Sequence, residues 1–228
     1  MIGVLTYSVP HHKTQELLFR LAFETDEEVV VCEIPWQERK AHKPLYKHRP
    51  SKALSRTQAE IGARLGMDSM PAEEALARGD RFEMFLIGGA QILSADVVDN
   101  APPILNAHPG LIPYARGLDA LKWALYHDLP VGVTTHVIDA ETDAGAIVEQ
   151  EEVPLYAMDT FHAFAYRQFD LEIDMLARAP QAYREKGTRA WDPLAEDDPA
   201  HQVFKRMPKS REVIMAERFE QRRIRHGA

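Results

Sequence analysis

Glu28 to Ile34 holds Val29, Val30, Val31 and Ile34 in one short run. Such a β-branched stretch is too short for a helix and too apolar for a strand with a wet face. It belongs in the centre of a sheet covered on both sides. Ile2 to Thr6, Phe82 to Ile87, Pro103 to Ala107, Val131 to Ile138 and Ala146 to Pro154 are further strand-like runs. Helical patterns separate them. Lys13 to Glu24 carries Leu17, Leu18, Leu21 and Ala22 at helical spacing. Ala53 to Leu65, Pro71 to Arg78 with proline in its first turn, and Leu118 to Tyr126 also read as helices. Thr160 is suited to cap a long helix running to about Arg178. The alternation predicts an α/β fold, a mostly parallel twisted sheet flanked by helices. Only a short loop joins the last two strands, so they form an antiparallel pair near the C-terminal end of the core.

On this reading residues 1–180 make one catalytic domain. Residues 181–228 are an irregular tail and a final basic helix, Ser210 to Arg225, packed on it. A chain of 228 residues can bury a sizeable core. No apolar run approaches the roughly 20 residues that cross a bilayer, and Met1 to Tyr7 has no basic start typical of a signal peptide. The single cysteine, Cys32, excludes an internal disulfide and makes a reducing cytoplasm the expected setting. Its apolar surroundings mark it as core rather than nucleophile. A formal net charge of -8 argues against nucleic-acid binding. Within this acidic chain Lys40, Lys43, Lys47, Arg49 and Lys52, with His42 and His48, form a basic segment.

In open α/β sheets ligands sit outside the carboxyl ends of the strands. The loops after Thr6, Ile34, Ile87, Ala107 and Ile138 are therefore expected around one crevice. Asn106 and His108 are two apart on an extended segment and point the same way. Both can donate to a carbonyl oxygen that becomes an oxyanion. Asp143, in the acidic loop Asp139-Ala140-Glu141-Thr142-Asp143, can accept a proton; Asp139 and Glu141 compete for that role. His136 either holds Asp143 or is a core histidine, and one of Thr134 and Thr135 faces the site. Gly88-Gly89-Ala90-Gln91-Ile92-Leu93 follows a strand and could read a flat heterocycle through its backbone. It lacks the spacing of a phosphate-binding glycine loop. Lys43, Tyr46, Lys47 and Arg49 could hold a phosphate or carboxylate. His11-His12 has no matching partner spacing, so no metal site is expected.

Asn106-Ala107-His108-Pro109, then Leu111-Ile112-Pro113 and Gly117, then Gly132-Val133-Thr134-Thr135-His136 and Asp143-Ala144-Gly145, resemble the catalytic domain of the formyltetrahydrofolate-dependent formyltransferases. The resemblance is specific from about Phe82 to Pro154. It implies a Rossmann-like fold and an enzyme that moves a formyl group from N10-formyltetrahydrofolate to a primary amine. Asn106, His108 and Asp143 would be its catalytic residues. Gly88 to Leu93 with Ile138, Asp139 and Glu141 would line the folate pocket. Pro109, Gly110, Arg116 and His136, with the basic loop, would meet the acceptor.

Within that family the turn after the first strand, Tyr7-Ser8-Val9-Pro10, lacks the glycines of the glycinamide ribonucleotide enzymes. About seventy residues follow Pro154 and begin with a helix, unlike the barrel that methionyl-tRNA formyltransferases add. Formyltetrahydrofolate deformylases carry a His-His-Ser turn where His108-Pro109-Gly110 stands. Gly110-Leu111, Gly117-Leu118 and Trp123 are more similar to the sugar N-formyltransferases, which implies a nucleotide-linked amino sugar as acceptor. Another amine, a formyltetrahydrofolate hydrolase and a non-catalytic folate-binding relative remain alternatives. The expected partners are a small anionic acceptor and a possible second copy of the chain, with neither nucleic acid nor membrane.

Overall fold

The computed structural model describes residues 1–228 except 39–41, 51, 53, 92, 140–142, 196, 199–201 and 227–228. Lys40, Ile92 and Glu141 thus lie outside the described residues. Seven strands form one sheet: β1 (Ile2–Tyr7), β2 (Val29–Ile34), β3 (Asp68–Pro71), β4 (Met84–Ile87), β5 (Ile104–His108), β6 (Gly132–Val137) and β7 (Ile147–Glu152). Their order is β3-β2-β1-β4-β5-β6-β7. β1 to β5 run parallel, and β6 is antiparallel to both β5 and β7. The expected antiparallel pair is present, and β6 also pairs antiparallel with β5.

The central strands are buried on both faces, as their composition requires. Val4, Val31 and Leu86 pack under the helix α1 (His12–Glu24), with its Leu17, Leu18 and Leu21. Phe169, Ile173 and Leu176 of α6 (Phe161–Lys186) join the same core. On the opposite face Leu5, Val30, Cys32, Phe85 and Ile104 pack with Phe82. Burial pushes the Cys32 thiol up to about 12, so it stays a protonated core group.

Local differences from the expected elements have physical reasons. The helix expected from Ala53 begins later, as α2 (Gln58–Arg64), because Thr57 and Glu60 form a reciprocal cap at its start. Pro71 ends β3 rather than lying inside the next helix, α3 (Ala72–Ala77). β3 has no apolar signature because it is an exposed edge strand held by its backbone. A short helix, α4 (Ala95–Asn100), is capped by Ser94. α6 passes through Pro180 and runs eight residues past its expected end, to Lys186.

A second core joins α5 (Ala120–Tyr126), the start of α6 and α7 (Lys209–His226) around Trp123, Phe164, Phe204, Met215 and Phe219. Lys122 and Glu212 meet inside it as an ion pair, each about 1% exposed or less. Glu212 also accepts the Leu45 N–H at 2.6 Å. Lys122→Met should therefore destabilise the fold by about 3–5 kcal/mol, because it leaves a buried carboxylate unpaired. The double variant Lys122→Met/Glu212→Gln keeps an acceptor for Leu45 without the charge. Urea unfolding should find it clearly more stable than Lys122→Met alone.

Candidate active site

The β5–β6 ladder pairs Asn106 with His136 and His108 with Thr134. Side chains opposite one another in a ladder share a face, so two remote segments deliver four polar groups to one place. Ala107, between them, turns into the core. Thr134 is the threonine on the site side. Its hydroxyl donates to the Gly110 carbonyl at 2.8 Å and accepts the Ile112 N–H at 3.1 Å, pinning the turn after β5. Gln168 of α6 fixes the same turn, donating to Pro109 O at 3.0 Å and Gly132 O at 2.9 Å.

Asn106 Nδ2 lies 3.3 Å from His136 Nε2. Burial lowers the His136 pKa to about 4, against the opposing pull of Asp143, so the ring is neutral near pH 7. With Nε2 accepting from one N–H of the Asn106 amide, the other N–H is left to the cavity. His108 is 3% exposed. Its Nε2 is 2.5 Å from the Ala115 carbonyl, which can only accept, so Nε2 carries a proton. Its Nδ1 is 3.4 Å from Asp143 Oδ2. Asp143 Oδ1 is 3.8 Å from His136 Nε2, and Oδ2 accepts the Gly117 N–H at 2.9 Å.

The loop that bears Asp143 reaches the site by another route than the one expected. β6 runs against β5, so Ile138 leaves at the amino end of β5, its N–H donating to Ile104 O at 2.9 Å. Asp143 nevertheless lies beside His108, near the carboxyl end of β5.

These groups open onto a cavity of about 940 Å³, at the upper end of the range for small-molecule sites. One arm is a largely apolar slot of Ile87, Leu93, Val98 and Ile138, with Gly88, Gly89, Ala90, Gln91 and Asp139 beside it. A Cβ on Gly88 would meet Thr14 of α1 at 2.9 Å, and one on Gly89 would meet the His11 ring at 2.7 Å. Their bareness also seats the start of α1 and the turn before it.

The other arm carries charge. Glu172 accepts from Lys13 Nζ at 2.7 Å and Arg49 Nη2 at 3.0 Å, and is itself 2% exposed. Burial alone would raise the Glu172 carboxyl, but Arg49 and Lys13 hold it below its ordinary range. His48 Nε2 lies 3.8 Å from Asp119 Oδ1, and Asp119 Oδ2 accepts the Met207 N–H at 2.9 Å. Val203, Phe204, Lys205 and Arg206 complete that wall.

Of the basic loop, only Arg49 among Lys43, Tyr46, Lys47 and Arg49 reaches the cavity. Lys43 and Lys47 are exposed elsewhere. Tyr46 turns its ring onto Phe161, 5.7 Å away, in the second core. Pro109 lines the cavity. Gly110 is buried beneath it, and the Arg116 guanidinium lies over the Trp191 ring at 5.3 Å. The sequence reading did not single out Lys13, Asp119, Glu172 or residues 203–206 as site residues. Glu172 did carry a signal: it falls on the buried face of α6 with Phe169 and Ile173, where an isolated carboxylate is costly.

A family model described as formyl transferase matches residues 20–179. Over 92 residues the chain is 38% identical to a methionyl-tRNA formyltransferase of Syntrophus aciditrophicus, covering 39% of this chain and 29% of that protein. Over 141 residues it is 28% identical to a dTDP-4-amino-4,6-dideoxyglucose formyltransferase of Mycobacterium tuberculosis, covering 61% of this chain and 60% of that one. The chain therefore spans less than two thirds of the length of these curated relatives. Among solved structures it is similar in fold to a sugar N-formyltransferase from Shewanella sp. FDAARGOS_354, with a TM-score of 0.58 at 20% identity, covering 96% of this chain and 87% of that one. No helix among the described residues is long and apolar enough to cross a membrane.

The site histidines set a pH dependence. Burial lowers His11, His48 and His136 from 6.5 to about 4. Between those values the unfolded chain binds more protons than the folded one. Their contribution to stability is complete above about pH 6.5 and is lost as pH falls toward 4. Urea midpoints should drop over that window, and His48→Asn should make the drop shallower.

Proposed function

The chain belongs to the formyl transferase family, and we propose that it carries a formyl group from N10-formyltetrahydrofolate to the primary amine of a small anionic acceptor, a nucleotide-linked amino sugar. The observation that carries this reading is the meeting of Asn106, His108, His136 and Asp143 between the two arms of one cavity. The slot of Ile87, Leu93, Val98 and Ile138 suits the flat pterin of the donor, with Asp139 as a partner for its N–H groups. The relative that acts on a dTDP-amino sugar supports the acceptor class.

In this mechanism the acceptor amine attacks the formyl carbon, and the carbonyl oxygen becomes an oxyanion. The spare Asn106 N–H donates to it. The His108 ring, held through Nε2–H on the Ala115 carbonyl, sets its Nδ1 beside Asp143 Oδ2. Asp143 takes one proton from the amine, directly or through water, and one proton is delivered to N10 as its bond to the formyl carbon breaks. The formyl group and one proton have then changed places, with no covalent enzyme intermediate.

Asn106→Ala should lower kcat by about 10²–10³-fold, the usual cost of one oxyanion donor. Asp143→Asn should do at least as much, with tetrahydrofolate affinity retained. Wild-type turnover in a folded Asp143→Asn protein would remove Asp143 as the base. Formate release without any amine present would mark a hydrolase instead.

The acceptor's anion fits the second arm. Its fixed cations Lys13, Arg49, Lys205 and Arg206 outnumber its fixed anions Asp119 and Glu172, and Lys205 and Arg206 are exposed at the wall. Lys205→Ala/Arg206→Ala should raise the KM for a nucleotide-linked amino sugar and weaken its dependence on salt. The KM for the folate should change little. An unchanged acceptor KM would make the two side chains a solvated rim.

A further inference from the structure

We infer that residues 203–207 act as a strap that aims the Gly117 peptide at Asp143, and that Phe204 is the positioning residue in it. The inference rests on Asp143 being the base. Asp143 sits on a loop with φ at +50°, and the Gly117 N–H is the only backbone donor to its carboxylate among the described residues. That N–H belongs to the same peptide group as the Arg116 carbonyl, and the carbonyl accepts the Phe204 N–H at 2.9 Å. A trans peptide points its C=O and N–H in opposite directions. Holding the oxygen on the strap therefore drives the N–H toward Asp143. The bond at the oxygen also polarises the peptide and strengthens its donor end.

The strap grips both sides of Gly117. Leu118 donates to Phe204 O at 2.8 Å. Gly117 has φ at +92°, and a Cβ there would lie 2.3 Å from Phe204 O, so no other residue allows this approach. The strap is in turn fixed to α5. The Phe204 ring stacks on Trp123 with centroids 4.8 Å apart and planes within 14°, and it tilts over His127 at 5.5 Å. Trp123 Nε1–H donates to Lys205 O at 2.7 Å, and Met207 N–H donates to Asp119 Oδ2. A position for the catalytic carboxylate is thus passed from α5, through the strap, to one peptide group. The strap reaches Asp143 through the Gly117 peptide and by no side-chain hydrogen bond or ion pair among the described residues, so its role is to position rather than to react.

The test uses Phe204→Ala, and Phe204→Leu in case the first variant does not fold, each in the wild-type and Asp143→Asn backgrounds. In the wild-type background kcat should fall on the order of tenfold to a hundredfold, the scale of a small misplacement of a reacting group. Tetrahydrofolate affinity should hold. In the Asp143→Asn background the same substitution should change the residual rate by no more than about twofold, because the two act through one interaction. Equal losses in both backgrounds would make Phe204 a general stabiliser and overturn the inference. A second readout needs no turnover. The Gly117 amide proton, followed in ¹⁵N-labelled protein, should move in the same direction in Phe204→Leu as in Asp143→Asn. An unmoved resonance in Phe204→Leu overturns the inference, while absent formyl transfer in the wild-type protein would overturn the proposed reaction alone.

Discussion

The antiparallel pairing of β5 with β6 is the constraint from which the site follows. Because the ladder sets Asn106 against His136 and His108 against Thr134, three of the four polar groups that meet at the candidate site stand on paired strands, and Asp143 alone does not. A slip of one residue would send His136 into the core and Val137 into the cavity. Thr134 and Gln168 bind the turn at Gly110 to strand and helix, so the ring of His108 has no freedom to leave Ala115. The same pairing sends the next loop away at the wrong end of the sheet. Asp143 therefore depends on contacts from outside the sheet, such as the Gly117 N–H.

Those contacts divide the charges of the cavity between two tasks. Glu172 is buried and held by two cations, which makes it a structural anion rather than a second base. It ties α1, the end of the basic loop and α6 together at the cavity wall. A buried carboxylate with two partners leaves one positive charge uncompensated, and an anionic ligand can complete it. His11 and His48 add no charge near neutral pH because burial keeps them unprotonated. The charge of that wall is thus set by Lys13, Arg49, Lys205 and Arg206 against Asp119 and Glu172, with Asp139 and Asp143 elsewhere in the lining.

Much of this could be read from the residues in order. The Val29–Val31 run marked a doubly covered strand, and Asn106 with His108 marked one face of an extended segment by spacing alone. His136 stood on the next strand, and Asp143 in the acidic loop after it, where Asp139 and Glu141 competed and the family resemblance singled out Asp143. What stayed hidden was carried by pairings across long stretches of chain or by the backbone. Arg49 finds Glu172 123 residues away, and no local pattern announces it. β3 pairs only through its peptide groups, so its exposed side chains carry no period. The grip of Phe204 on Gly117 is likewise made by N–H and C=O groups that every residue possesses. Lys43, Tyr46 and Lys47 show the opposite: a cluster in sequence became a set of divergent directions, with Tyr46 packed on the second core and none of the three in the cavity lining.

The late position of the strap has a consequence for synthesis. A nascent chain that has emerged as far as α6 already carries Asn106, His108, His136 and Asp143, and its sheet can close around them. The Arg116 carbonyl gains the Phe204 N–H only when Phe204 arrives and stacks on Trp123. A chain stalled or cut between Lys186 and Val203 would lack that grip, and with it the Glu212 partner of the buried Lys122. On the proposed reaction, Asp143 would gain its aim only once residues 203–207 have emerged.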